Sequence, residues 1–194
     1  MSATTEPQLD APGAGLPAPE LFIARKLFAV KCRTGSREAF IRKFREERAA
    51  IRQLIERFPE AQRSEQVLIR RLRGLEDSSR HWSLWMTLDH LRIVNVGIGD
   101  FIVELTAGRS PEEIIGTADV KPDPTVGVEV EQAYEESCDH LLEIAGARTE
   151  LKTDATYPHP WFGPMDAFRW LALASMHMGI HRAQAEAILE GLPR

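Results

Sequence analysis

Along most of the chain apolar residues recur at intervals of three and four, the period of an amphipathic helix. Phe40, Phe44, Ile51, Leu54, Ile55 and Phe58 form one such stripe. Ser36 precedes it as an N-cap and Pro59 closes it, which predicts a first long helix between them. A short amphipathic piece, SEQVLIRRL, follows and ends at Gly74. A second helix is predicted from about Ser79 to Ala107, with Gly108 as its C′ residue. Its stripe holds Met86, Val94, Gly97, Ile98, Phe101 and Leu105, and His90 lies on the same face. SPEEII then shows a capping-box pattern, with Ser110 as N-cap, Pro111 at the first helical position and Glu113 reaching back. After a Pro/Gly-rich loop from Gly116 to Gly127, Val130, Tyr134, Cys138, Leu141 and Ala145 mark a third helix, stopped by Gly146. The loop YPHPWFGP leads to the last helix. There Gly163 and Pro164 suit N-cap and first turn, Asp166 adds negative charge, and the helix runs to about Leu189.

Four long amphipathic helices without a convincing strand predict an all-α fold, an antiparallel-type four-helix bundle. The valines of TVGVEV are interleaved with glutamates and continue into a helical period. The long connection between the second and third helices leaves room for a non-sequential helix order. Residues 1–20 are rich in Ala, Pro and Gly and read as a flexible tail, leaving 21–194 as a single domain.

Composition narrows the class. The 194 residues are 43% hydrophobic and 27% charged, ordinary for one globular domain. A net charge of -5 argues against a nucleic-acid partner, which calls for a basic face. The arginines of IRKFREERAAIRQ alternate with glutamates, as on a solvated helix face. No apolar run approaches a membrane span, so no membrane partner is expected. The N-terminus lacks the pattern of a signal peptide. Two cysteines, Cys32 and Cys138, make no disulfide framework, and a reducing cytoplasm is the expected location.

Against this background the histidines stand out. His177 and His181 are four residues apart, so their rings share a helical face with Trp170, Leu173, Gln184 and Ile188. Such a pair alone is common by chance. A buried imidazole needs partners, however, and His90 supplies a third ring on the core stripe of another helix. The three together point to a divalent metal site. Imidazoles without a thiolate suit zinc, nickel, iron, copper or cobalt, and three protein ligands leave a position open. There is no Glu-x-x-His pair for a di-iron bundle, and Met178 stands where a zincin carries its glutamate. His81, His140 and His159 are expected at the surface, although His159 could reach the site if its loop folds over. Trp82, Trp85 and Trp170 are expected in the core or as caps, Glu47 and Arg48 on a helix flank, and Cys138 as a small buried hydrophobe.

The segment GLEDSSRHWSLWMTLDHL and the run HMGIHRAQ together resemble the DinB/YfiT-like superfamily of metal-binding four-helix bundles. The most specific element is His-x-x-x-His-Arg-x-Gln, here His177, His181, Arg182 and Gln184, with His90-Leu91 as its partner. The resemblance covers about Ser36 to Leu192. It implies a mirror variant of up-and-down topology, often dimeric, and a nickel or zinc ion on His90, His177 and His181. It also implies, for some relatives, transferase or isomerase chemistry with a low-molecular-weight thiol. The resulting expectation is a metal-dependent enzyme acting on a small molecule, with a thiol-dependent transferase as its most concrete form. A metal-dependent hydrolase and a non-catalytic, regulatory helical dimer are the alternatives. Gln184 is the expected cofactor-binding group near the ion.

Overall fold

The computed structural model describes residues 7–193. Its first element is a helix that the stripes do not mark, α1 (Ala18–Thr34). Leu21, Ala24, Phe28 and Cys32 turn one face toward the protein, and α1 lies on the last helix. The opposite face is also apolar, with Phe22, Ile23, Leu27 and Val30 exposed, so the sequence shows little contrast between two sides. Helix α1 begins within the stretch 1–20 expected to be a tail. Residues 1–6 of it lie outside the described residues. Beyond them Leu16 is buried and the Asp10 N–H donates to Asp77.

The next helix, α2 (Arg37–Arg57), starts as predicted: the Ser36 hydroxyl accepts from the Ala39 N–H. Its stripe Phe40, Phe44, Ile51 and Leu54 is buried. SEQVLIRRL is not helical. Part of it forms β1 (Val67–Leu68), which pairs antiparallel with β2 (His81–Trp82). The following helix, α3 (Leu84–Thr106), begins at Ser83 rather than Ser79, because the Ser83 hydroxyl accepts from the Met86 N–H. Gly108 holds the left-handed conformation expected of a C′ residue, at φ 77°.

SPEEII forms no helix. The Tyr157 hydroxyl takes the Ile115 N–H and donates to the Glu113 carbonyl, so a tertiary contact claims the backbone groups a helix would need. The helix α4 (Glu129–Ala147) buries its entire expected stripe and runs through Gly146 before ending. Gly163 and Pro164 do not cap the last helix. They belong to a hairpin of β3 (Tyr157–His159) and β4 (Gly163–Met165), where Gly163 sits at φ 70°. A left-handed glycine is what a tight hairpin needs. The cap of α5 (Ala167–Gly191) is Asp166, whose carboxylate accepts from the Arg169 N–H.

Helices α2 to α5 form the four-helix bundle. α5 packs on α2 and α3, α3 also packs on α4, and α2 meets α4 only lightly. Sequence neighbours α2 and α3 thus stand on a diagonal, as do α4 and α5. The helix order is non-sequential, but the connections crossing the bundle are 58–83 and 148–166, not the loop between α3 and α4. Among the described residues no helix is long and apolar enough to cross a membrane.

Candidate metal centre

The three histidines converge. His90 comes from α3 and His177 and His181 from consecutive turns of α5, and the α3–α5 contact brings them together. The His177 Nε2 lies 3.1 Å from His90 Nε2 and 3.0 Å from His181 Nε2. His90 and His181 are buried and His177 is half-buried.

The outer partners decide which nitrogens carry protons. His90 Nδ1 is 2.6 Å from the Val120 carbonyl, which can only accept, so Nδ1 carries the hydrogen and Nε2 is bare. At His181 a chain of two bonds does the same. The Gln184 Nε2 donates to the Ser79 carbonyl at 2.7 Å, which turns its Oε1 toward His181 Nδ1, also at 2.7 Å. His181 therefore also holds its hydrogen on Nδ1 and presents a bare Nε2. His177 Nε2 faces both lone pairs and can give a hydrogen to only one of them. Its own Nδ1 is buried without a partner among the described residues. No neutral arrangement of protons satisfies this cluster.

Protonation is not the remedy, because burial disfavours charge on every ring. It pushes His90 down to about 4. His177 and His181 lie well below the usual histidine range, first through burial and then through repulsion from neighbouring imidazoles. Neutral, bare, converging imidazoles are the donor set a divalent ion requires. Two nitrogens each about 2.1 Å from one ion stand roughly 3.0–3.4 Å apart, between right-angle and tetrahedral geometry. The residues fit a metal.

Trp82 walls the cluster, stacked on His181 at 6.0 Å between ring centroids and tilted against His90 at 5.1 Å. Trp170 is buried as expected, and half-buried Trp85 donates its indole N–H to Glu131. His140 is exposed, as predicted, whereas His81 is half-buried on β2. His159 is not at the surface either. The hairpin packs its ring against Trp170 and Phe162, and the Trp161 N–H donates to its Nδ1. Burial pushes His159 down to about 4. Glu47 is buried, not on a flank, and pairs with Lys43 and Arg182. Arg48 bridges to Glu135 and Asp139 on α4. Cys138 is buried, and burial pushes its thiol up to about 12, far from a nucleophile. Gln184 is wholly buried behind His181, with both ends of its amide engaged. Two surface grooves, about 420 Å³ beside Arg48 and about 370 Å³ beside Cys32, do not border the triad.

No residue type marks the Val120 and Ser79 carbonyls in the sequence, because main-chain acceptors leave no side-chain signal. Gln184 was legible through its spacing after His181.

Comparison with known proteins bears on the fold and the family. The chain is similar to the crystal structure of TT2238, a four-helix bundle protein, at 20% identity with a TM-score of 0.58, covering 78% of this chain and 99% of that one. That likeness supports the fold. No curated protein matches. Residues 43–185, which hold all three histidines, match the DinB superfamily, and the chain belongs to that superfamily.

Proposed function

We propose that this protein is a metal-dependent enzyme in which His90, His177 and His181 hold one divalent transition-metal ion, nickel or zinc. Its most concrete form is a transferase or isomerase using a low-molecular-weight thiol and acting on a small molecule. The observation that carries the reading is the proton count: two bare Nε2 atoms face a third within 3.1 Å, with no neutral way to satisfy them. When bound, the ion supplies a Lewis acid that lowers the pKa of a coordinated thiol or water.

The chain's own residues do the remaining work. Val120 and Gln184 hold His90 and His181 in the tautomer that aims Nε2 inward. Burial keeps all three rings neutral near pH 7 and therefore ready as ligands. Trp82, against both His90 and His181, shields those two rings from bulk water. His177, the half-buried ligand, is the side from which a substrate would arrive.

A closed, non-catalytic metal-binding dimer is the second reading. Burial of the triad, and the position of both grooves away from it, favour that reading. We also propose a homodimer, supported by the exposed apolar face of α1.

Metal analysis of the purified protein tests the site. His177→Ala should lose the ion while its far-ultraviolet circular dichroism stays helical; unchanged metal content would overturn the ligand assignment. Thiol consumption with an electrophilic substrate, in metal-loaded and chelator-treated protein, separates the two readings. Identical rates in both would remove the enzyme.

A further inference from the structure

We propose that the Glu76–Lys121 ion pair is a positioning device that keeps His90 in its Nδ1–H tautomer and so keeps the three ring nitrogens converged. The proposal deepens the metal reading, on which only its second readout rests.

The His90 partner is a main-chain carbonyl in an irregular connection. Neither a helix nor a strand holds Val120 in place. Within the turn the Asp119 N–H bonds the Gly116 carbonyl, but what ties the turn to the rest of the protein is side chains, and Glu76 provides one tie on each side of Val120. Glu76 Oε1 accepts from the Thr117 hydroxyl at 2.7 Å, three residues before Val120. Glu76 Oε2 accepts from Lys121 Nζ at 2.7 Å, one residue after it. A single carboxylate thus grips the loop on both flanks of the carbonyl that fixes His90.

Lys121 extends the grip to the other ring. Its ammonium also donates to the Ser78 and Ser79 hydroxyls, each at 3.0 Å, and sits 5.6 Å above the Trp82 ring. Ser79 is the residue whose carbonyl orients Gln184 and, through it, His181. One ion pair therefore touches the loops behind both tautomer-fixed histidines. A second tie, from the Asp123 N–H to Asp89, anchors the far end of the loop to α3.

The energetics fit positioning better than simple stabilisation. Glu76 is 5% exposed, and the desolvation of such a pair offsets much of its Coulomb attraction. Burial opposes ionisation of Glu76, but the Lys121 ammonium and the Thr117 hydroxyl outweigh it and hold the carboxyl below its usual range. What the pair secures is where the loop sits.

The test uses the metal-free full-length chain with ¹⁵N-labelled histidine. Long-range proton–nitrogen spectra of the wild type should show His90 protonated at Nδ1 only. In Glu76→Gln one acceptor oxygen becomes a donor, and in Lys121→Met the cation is gone; both should show mixed tautomers at His90. Lys121→Arg should restore part of the Nδ1–H signal. Zinc affinity, measured by competition with a chromophoric chelator, should fall about 10–100-fold in the first two variants. Glu131→Gln breaks a comparable pair, with Arg63, away from the triad and should leave both readouts unchanged. If a single variant fails to fold, the double variant Glu76→Leu/Lys121→Met, which buries no lone charge, takes its place. An unaltered His90 tautomer in folded variants would overturn the proposal, as would equal changes in Glu131→Gln. A wild type that takes up no zinc would overturn the metal reading, while the tautomer comparison would still decide this one.

Discussion

At His181 a carboxamide decides which nitrogen is available. Gln184, wholly buried, reaches the Ser79 carbonyl with its N–H and His181 with its oxygen. Gln184→Leu should leave two buried polar groups unsatisfied and cost about 1–3 kcal/mol each, measured by denaturant unfolding. It should also weaken zinc binding, because His181 is then free to turn its hydrogen inward. Gln184→Glu separates the two effects. A carboxylate still accepts from His181 Nδ1 but cannot donate to Ser79. That variant should keep metal affinity near the wild-type value and lose stability. Equal loss of affinity in both variants would show that the amide does something other than fix the tautomer.

At the scale of elements, caps and one hairpin place the ligands along their helices. Ser83 starts α3 seven residues before His90, and Asp166 starts α5 eleven residues before His177. Asp166→Ala should cost about 1 kcal/mol through the lost cap. Its effect on metal affinity should be small, since the ligands lie turns away. Gly163→Ala should cost a further amount, about 1 kcal/mol, because an alanine must adopt φ 70° in the hairpin. Calorimetry of the two variants checks both, and an unchanged melting temperature for Gly163→Ala would count against the hairpin geometry. The sequence shows the Gly163-Pro164 pair clearly but misleads about its use. Glycine followed by proline suits a helix start and a tight turn equally, and only the pairing of Tyr157 with Met165 favours the turn.

Across the whole molecule, burial of histidines makes stability depend on pH. The folded state keeps His90 and His159 near 4, while an unfolded chain titrates near 6.5. Between these values the unfolded state binds more protons, so stability is full above about pH 6.5 and declines as pH falls toward 4. His90 alone should account for a loss of roughly 3 kcal/mol across that window. Denaturant unfolding of the metal-free protein at pH 7 and pH 5 checks the sign; greater stability at pH 5 would contradict the buried, neutral cluster. Zinc should raise the midpoint at pH 7 more than at pH 5, because protons compete for the same lone pairs. At the same scale, the exposed Phe22, Ile23, Leu27 and Val30 on α1 support self-association. Sedimentation should show a dimer, and Leu27→Lys should shift it toward monomer without loss of helix content.

Periodicity by itself determined that α2, α3, α4 and α5 exist and, on α2 and α4, which face is buried, since a 3.6-residue stripe has few ways to hide from water except against other helices. On α3 the predicted stripe is only partly right: Val94, Gly97 and Phe101 are half-buried, while Leu88, Leu91, Asn95 and Ile102, outside it, are buried because α4 and α5 cover α3 from two sides. Spacing also brought His177 and His181 together, because that contact is local to one helix turn. Tertiary structure alone decided the rest. The stripes of α2 and α5 carry no record of which helix stands on the diagonal. α1 has no contrast between its faces, so only its packing on α5 reveals an inward side. The capping-box residues Ser110 and Glu113 predicted a helix that the Tyr157 hydroxyl, distant in sequence, prevented. Likewise the Val120 carbonyl, the Ser79 carbonyl and the Glu76–Lys121 pair act on the histidines across long sequence separations. A main-chain oxygen is common to every residue, and nothing but the folded arrangement selects the two that set these tautomers.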